Sequence, residues 1–161
     1  MYRILLAGDG GQGIQLIADI ICHSAFHEGH EISQIPNYGL EQRGGVSLAF
    51  VQISSESIVY PKFSKPDILL IMSPQARVRA ASYLGHDQTE ILDIENFKDI
   101  LEKNNISARS QNIFFLGMIA KKLAEKDLIN LNLVKKLLTD KLSSKLGWEQ
   151  NEKAWDVGVN I

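Results

Sequence analysis

The fold is decided by the stretch YRILLAGDGGQGI, residues 2–14 of the chain. Its first six residues have the apolar character of a short buried strand. Glycines follow at positions 8, 10, 11 and 13, and an apolar pattern with helical spacing begins at Ile14. A strand, a glycine turn and a helix in this order can cradle a phosphate, because glycine lets the backbone approach a ligand and the helix start offers unpaired N–H groups.

Composition fits one globular domain spanning residues 1–161, with 45% hydrophobic and 22% charged residues. The net charge of −2 gives no overall attraction to nucleic acid or to an anionic membrane. The single cysteine, Cys22, reads as a small buried hydrophobe, and one thiolate cannot hold an iron–sulfur cluster or a structural zinc ion. We therefore expect a cytoplasmic protein without a nucleic-acid or membrane partner.

Strand and helix patterns alternate after the glycine turn. Apolar residues recur at helical spacing from Ile14 to about His27, and Gly29 fits a helix end. Residues 31–35 predict a second strand. A strand–helix–strand unit places that strand parallel to the first one, with a right-handed crossover.

The rest of the chain predicts an edge hairpin, a central strand and a helical end. Residues 46–53 alternate with period two and residues 58–60 follow a turn, so together they predict the hairpin. The apolar run 67–72 predicts the central strand, and Ser73-Pro74 predicts the helix start after it. Further elements are expected at 90–94 (strand), 96–102 (helix) and from residue 110 onward (helices). This is an α/β class: a single Rossmann-like domain with a mostly parallel sheet, flanking helices and a helical C-terminal end.

A dinucleotide site is one interpretation of the glycine turn, since Gly8, Gly10 and Gly13 fit the spacing G-x-G-x-x-G. Such a site needs an acidic residue about 20 positions further on, at the end of the second strand. Glu28 precedes the predicted strand and Glu31 begins it, so the acid is misplaced. A stand-alone Rossmann-type nucleotide-binding module stays as the alternative function.

A thiamine diphosphate site is a second interpretation. Gly8-Asp9-Gly10, followed at a distance by Asn37, resembles the signature by which thiamine enzymes hold Mg²⁺. Carboxylate and amide oxygens suit that ion. Domains with this signature normally have several strands before the motif, whereas one precedes it here, so we interpret the match as coincidence.

A second unusual string, PNYGLEQRGG, occupies residues 36–45. In a doubly wound sheet this loop and the glycine turn would lie at the carboxyl ends of adjacent strands, where ligands bind. Arg43 could pair with a phosphate or carboxylate, and Glu41 could hold Arg43 or contact another chain. A structural loop with a surface ion pair is the alternative interpretation.

Three histidines have spacings that can place metal ligands on one helix face: His23, His27 and His30. A cationic side chain near a helix C-terminus is favourable on its own. We interpret them as surface residues and assign no metal-binding residue.

Taken together, the motifs resemble the gamma subunit, or gamma-type domain, of the 2-oxoacid:ferredoxin oxidoreductases. Members carry G-x-G-G-Q-G before a helix and P-x-Y-G-P-E-x-R-G-G before a strand, matched here by residues 8–13 and 36–45. Later motifs follow in the same order: KPD at 65–67, N-x-x-x-L-G at 112–117 and N-x-x-A-W-x-x-G at 151–158. Leu40 replaces the usual proline, and Asn37 stands where an acidic or small residue is frequent.

The resemblance implies a subunit and not a complete catalyst. In this family a 2-oxoacid is oxidatively decarboxylated on thiamine diphosphate and Mg²⁺ held between alpha and beta subunits. Electrons leave through iron–sulfur clusters to ferredoxin, and the acyl group passes to coenzyme A. The expected partners are the alpha and beta subunits, with a ferredoxin-like delta subunit as a further candidate, and no cofactor is expected on this chain alone. The string IVYPK at 58–62 favours 2-oxoglutarate over pyruvate or a branched-chain 2-oxoacid.

The two loops and the resemblance give one set of candidate cofactor-binding residues: Gly8, Gly10, Gly11, Gln12, Gly13, Tyr38, Glu41, Arg43 and Gly44. No catalytic residue is assigned. The glycine turn is expected either to face coenzyme A or to support a subunit interface. A scaffold whose turn binds nothing is the third hypothesis.

Overall fold

A computed structural model describes residues 1–39 and 45–161. The strands are β1 Tyr2–Asp9, β2 Glu31–Tyr38, β3 Val46–Ser54, β4 Ile68–Ile71 and β5 Glu90–Asp93. The α-helices are α1 Ile14–His27, α2 Pro74–Arg79, α3 Lys98–Lys103, α4 Gln111–Ala124, α5 Leu131–Leu142 and α6 Trp148–Val159. The α/β class, the flanking helices and the helical C-terminal end are confirmed.

The five strands form one sheet in the order β2-β3-β1-β4-β5. The pairs β1–β4 and β4–β5 are parallel, whereas β1–β3 and β2–β3 are antiparallel. The sheet is therefore mixed, where a mostly parallel one was expected. β2 does run in the direction of β1, as the strand–helix–strand unit predicts, but β3 lies between them.

The insertion of β3 follows from the connection that leads to it. Only residues 39–45 join β2 to β3, and a parallel pair needs a crossover of about a dozen residues or more. A hairpin is the arrangement that such a short loop allows. The predicted hairpin between 46–53 and 58–60 is wrong, because residues 58–60 are not a strand and β3 already has partners on both sides.

The two faces of the sheet are covered unequally. On one face α1 lies against the sheet, and α4, α5 and α6 extend the same core through the fully buried Phe114 and Phe115. On the other face α2 packs with Phe63 and Tyr83 against a smaller apolar cluster around Phe50. Among the helices of the described ranges, none combines the length and apolar character that a bilayer span requires.

Candidate functional site

The glycine turn joins β1 to α1 and has two left-handed residues. Gly11 has a φ of 93° and Gly13 a φ of 76°, and Gly13 is the N-cap of α1. Residues with a β-carbon rarely adopt these backbone angles, which explains why both positions are glycine. The turn exposes Gly10 and Gly11 and directs its other side into the protein.

The inner side of the turn is filled by the protein itself. A β-carbon at Gly8 would lie 2.7 Å from Cδ1 of Ile14. One at Gly13 would collide with the side-chain amide of Asn112, a buried residue of α4. A β-carbon at Gly11 would meet nothing within 4 Å. The space beside Gly8 and Gly13 is therefore occupied by side chains, and the open side of the turn lies at Gly10 and Gly11.

Gln12 links the turn to the neighbouring parallel strand. Its Oε1 accepts a hydrogen bond of 2.7 Å from the Asp9 backbone N–H, and its Nε2 donates one of 3.1 Å to the carbonyl of Met72. Met72 directly follows β4 and donates its own N–H to the carbonyl of Ala7. Gln12 therefore holds the turn in shape and fixes it to β4.

Asp9 is tied to the start of α2 by a hydroxyl group. Ser73 Oγ donates a hydrogen bond of 2.7 Å to Asp9 Oδ1 and accepts one of 3.0 Å from the N–H of Ala76. Ser73 is the N-cap that the Ser73-Pro74 pair predicts. No local pattern connects positions 9 and 73, so the sequence does not predict the bond between Ser73 and Asp9, and neither residue is among the candidate cofactor-binding residues.

The second loop meets the glycine turn at one edge of the sheet. The N–H of Gly10 donates a 2.9 Å hydrogen bond to the carbonyl of Gly45. Gln15, in the first turn of α1, donates to Ser47 Oγ and to the carbonyl of Leu48, both at 3.0 Å. The expected proximity of the two loops is thus present, although their strands are separated by β3.

The candidate residues of the second loop fall into two groups. Tyr38 is 66% exposed at the end of β2. Glu41, Arg43 and Gly44 lie outside the described residues.

A cleft of about 700 Å³ opens between the carboxyl ends of β1 and β4, where the order in which the strands are added to the sheet changes direction. From β1 the chain crosses to one side of the sheet, and from β4 it continues to the other. In α/β sheets such a switch point, at the carboxyl ends of parallel strands, is where ligands bind. The walls are the turn and the α2 start on one side and residues 94–111 on the other, represented by Asp9, Gln12, Ser73, Lys98, Glu102 and Gln111.

The charge of this cleft is negative. Asp9, Glu95 and Glu102 line it, and Lys98 is the one cation among the lining residues that the structure describes. Lys98 is bound to Glu95, whose hydrogen bond raises the pKa of the ammonium group. A phosphate would meet uncompensated carboxylates here, so the cleft does not favour a phosphate-bearing ligand.

The described geometry disfavours both the dinucleotide and the thiamine diphosphate interpretation. In a Rossmann site β2 pairs directly with β1 and ends in an acid; here β3 intervenes and Glu31 begins β2. For thiamine, Asn37 would have to share one Mg²⁺ with Asp9. Asn37 on β2 pairs with Leu48 on β3, and Leu48 pairs with Ala7 on β1. Asn37 is therefore separated from β1 by two strand spacings, roughly 10 Å.

The remaining chemistry-bearing residues have ordinary surroundings. Within residues 1–39 and 45–161, no three His, Cys, Asp or Glu side chains are arranged to hold a metal ion. His23 lies 3.5 Å from Asp19 on the surface, and Cys22 is buried. Burial, with a smaller contribution from Asp19, raises the pKa of the Cys22 thiol to about 12, which makes it a poor nucleophile.

The sequence profile of the pyruvate ferredoxin/flavodoxin oxidoreductase family matches residues 3–161. The 2-oxoglutarate synthase subunit KorC of Methanothermobacter marburgensis is 43% identical over 111 residues, which are 65% of this chain and 60% of that protein. The match thus covers less than two thirds of this relative's length. The pyruvate/ketoisovalerate oxidoreductase common subunit gamma of Pyrococcus abyssi is 28% identical, with 96% of this chain and 93% of that protein covered.

Two solved structures share the fold. The gamma subunit of a keto/oxoacid ferredoxin oxidoreductase from Geobacter sulfurreducens has a TM-score of 0.71 and 24% identity, covering 99% of this chain and 97% of that one. The 2-oxoglutarate:ferredoxin oxidoreductase of Magnetococcus marinus has a TM-score of 0.81 and 20% identity, covering 99% of this chain and 30% of that one. Because the family profile matches residues 3–161, the chain belongs to the pyruvate ferredoxin/flavodoxin oxidoreductase family.

Proposed function

We propose that this chain is the gamma subunit of a cytoplasmic 2-oxoglutarate:ferredoxin oxidoreductase, which converts 2-oxoglutarate and coenzyme A to succinyl-CoA and reduces ferredoxin. The observation that carries the substrate is the 43% identity to a subunit named for 2-oxoglutarate synthase, against 28% to a gamma subunit named for pyruvate and ketoisovalerate. Pyruvate and branched-chain 2-oxoacids are the competing substrates.

The alpha and beta subunits, with a delta subunit where present, would supply thiamine diphosphate, Mg²⁺ and the iron–sulfur clusters. The separation of Asp9 from Asn37 does not fit a shared Mg²⁺, and the sequence has one cysteine for clusters that need several. This chain would then act through its surface. Its contribution would be the exposed edge that contains Gly10, Gly11 and Tyr38.

Coenzyme A, which supplies the thiol that accepts the acyl group, fits only the outer side of this edge. The inner side of the turn is filled by Ile14 and Asn112, and the adjoining cleft is negative. We propose that the contact lies at the exposed Gly11 backbone, because the Gly10 N–H is already donated to the Gly45 carbonyl. Arg43 is the second contact, since a guanidinium group can bind a phosphate through two parallel hydrogen bonds. Gly8, Gln12 and Gly13 would maintain the shape of the turn, and Glu41 and Gly44 would complete the second loop.

Co-expression with the candidate alpha and beta subunits tests the proposal. The purified complex should reduce ferredoxin in a reaction that depends on coenzyme A, with kcat/KM higher for 2-oxoglutarate than for pyruvate or 2-oxoisovalerate. A preference for pyruvate would contradict the substrate and keep the subunit role. Failure of the chain to co-purify with these subunits would contradict the subunit role itself.

Two further measurements separate the coenzyme contact from the alternatives. Arg43→Ala in the assembled complex should raise KM for coenzyme A and leave KM for the oxoacid unchanged; unchanged values for both would remove the contact. Tight binding of NAD or FAD by the isolated chain would instead favour the stand-alone nucleotide-binding module.

A further inference from the structure

A second cleft, which we call the basic cleft, lies at the opposite end of the sheet from the glycine turn. Its volume is about 470 Å³, and its lining includes Arg3, Gln52, Tyr60, Lys62 and Lys65. Arg3 stands at the start of β1, Gln52 is its register partner on β3, and the others belong to the connection between β3 and β4. Nothing in the proposed reaction uses this region.

The basic cleft is positive on a chain whose net charge is −2. Three cationic side chains line it, and none of the carboxylates in the described part of the chain does. Among the described residues, no Asp or Glu oxygen lies within 4.0 Å of the charged groups of Arg3, Lys62 or Lys65. Asp67 and Asp87 line a neighbouring cleft together with Arg3 and Lys65, so these two carboxylates offset part of the positive charge without pairing with either cation. Asp67 Oδ2 accepts a 2.6 Å hydrogen bond from the Arg3 backbone N–H. The three cations therefore form a local field that is open to an anionic partner.

Buried side chains hold the segment that carries these cations. Gln52 is 1% exposed, and its Nε2 donates a 2.6 Å hydrogen bond to the Tyr60 carbonyl. The Phe63 ring contacts Phe50 edge-on, with 5.3 Å between centroids, and Lys62 Nζ lies 6.0 Å from the Phe50 centroid. The backbone at Tyr60 and the side chains that follow it thus have defined positions on the sheet.

Large apolar side chains nevertheless point outward from this anchored segment. Val59 is 89% exposed and Tyr60 77% exposed, and both line the basic cleft. Protein interfaces are enriched in aromatic side chains and arginine and have an apolar centre within a polar rim, which is the arrangement of Val59 and Tyr60 beside these cations. A small phosphorylated ligand would use the cations but leave Val59 in water.

We propose that the basic cleft, together with Val59 and Tyr60, is a docking surface for an acidic segment of another subunit of the same complex. Carboxylates of that segment pair with Arg3, Lys62 and Lys65, and its apolar side chains cover Val59 and Tyr60. Opposite charges across the contact accelerate association and select the partner. The inference rests on the proposed function only in taking the partner from the same complex.

Charge reversal tests the proposal in the reconstituted complex. The variant Lys62→Glu/Lys65→Glu should bind the remaining subunits with a Kd raised roughly tenfold or more at low ionic strength, and salt should narrow the difference. Lys136→Glu/Lys145→Glu is the matched control, because both lysines are exposed on the helical end and the change in net charge is the same. Its Kd should change by less than about twofold. Equal effects of the two variants would overturn the proposal.

A photo-crosslinker at Tyr60 gives a second, independent measurement. With Lys62 and Lys65 intact, it should form a covalent link to a partner peptide that contains several Asp or Glu residues. At concentrations below the raised Kd, Lys62→Glu/Lys65→Glu should form much less of this link. A link to a neutral or basic peptide, or no link in an assembled complex, overturns the docking surface and leaves the subunit role intact. Pyrophosphate is the probe for a small-anion site. If pyrophosphate binding depends on Lys62 and Lys65 while the affinity for the other subunits does not, the cleft binds small anions and the docking surface is overturned. Failure of the unmodified chain to assemble counts against the proposed function instead.

Discussion

The side-chain amide of Asn112 on α4 occupies the space that a β-carbon at Gly13 would need. Gly13 also has a φ of 76°, in the left-handed region. Gly13→Ala therefore combines a steric conflict with backbone strain, and we expect the free energy of unfolding to fall by roughly 2–4 kcal/mol. Urea unfolding followed by circular dichroism measures the change.

Gly11→Ala is the matched control for this prediction. Gly11 has a φ of 93° but open space around its β-carbon position, so only the backbone strain applies, about 1–2 kcal/mol. Adding Asn112→Ala to Gly13→Ala should recover part of the loss from the single Gly13 variant. Equal losses at positions 11 and 13, with no coupling to position 112, would show that Asn112 does not set the identity of residue 13.

Local elements of the fold could be predicted from the sequence because local patterns determine them. The strand–turn–helix unit from Tyr2 to His27 appears where its apolar spacing places it. Ser73 caps α2 as the Ser73-Pro74 pair indicates, and the helical end forms as expected. In each case the decisive information lies within a few consecutive residues.

The sheet order and the internal bonds of the turn depend on residues far apart in the chain. Several strands compete to pair with β1, and the outcome decides whether β3 lies beside it. The apolar periodicity of β3 does not distinguish an edge strand from a central one. Gln12 and Met72 are 60 positions apart, and Asp9 and Ser73 are 64 apart. The rule that ligands bind at carboxyl ends of strands placed the two loops at one edge, but no sequence pattern showed which turn residues face inward.

Ser73→Ala should lower the free energy of unfolding by about 1–2 kcal/mol. The hydroxyl is both the cap of α2 and the donor to Asp9, so its removal leaves the Ala76 N–H and the Asp9 carboxylate each without this partner. Ser73→Thr keeps the hydroxyl and should retain most of the stability. Ser82→Ala, at an exposed serine, should change nothing measurable. A loss as large for Ser73→Thr as for Ser73→Ala would point to packing and not to the hydrogen bonds.

Gly158→Ala should separate α6 from α4 and lower the free energy of unfolding by about 3 kcal/mol or more. A β-carbon there would collide with the backbone of Phe114, and one at Gly117 would lie 2.9 Å from the Trp155 carbonyl. Backbone atoms cannot move aside as a side chain can. This close approach gives a physical reason for the glycines in both C-terminal motifs.

Hydrogen exchange locates the effect of Gly158→Ala. Amides of residues 148–159 should lose protection before those of β1 and β4, because α6 is joined to the core mainly through α4. Glu152→Ala, on the exposed side of α6, is the control and should leave exchange unchanged. Uniform loss of protection across the sheet would instead indicate global unfolding without a local separation of the helices.

Cys22 should react slowly with alkylating reagents in the native protein. Its thiol pKa is raised to about 12 by burial and by Asp19, against an ordinary value of 9.0, so little thiolate is present near pH 8. We expect iodoacetamide to modify the native thiol slower than the unfolded one by roughly two to three orders of magnitude. Mass spectrometry over time in buffer and in urea gives both rates. Similar rates would show that the thiol is accessible and ionised in the native state.

The same thiol, together with Tyr2, should make the fold less stable in alkaline solution. Burial, followed by Asp67 and Glu90, raises the Tyr2 pKa from 10.0 to about 12. Because both native pKa values lie above the unfolded ones, the unfolded state loses its protons first as pH rises. The contribution of these two groups to the free energy of unfolding is therefore fully present below about pH 9 and is lost progressively towards pH 12. Urea unfolding across this range should show the decline in the free energy of unfolding. Cys22→Ala should make that free energy fall less steeply with pH from about pH 9 upward, and Tyr2→Phe should do so from about pH 10. A slope that neither substitution changes would assign the alkaline loss to other groups.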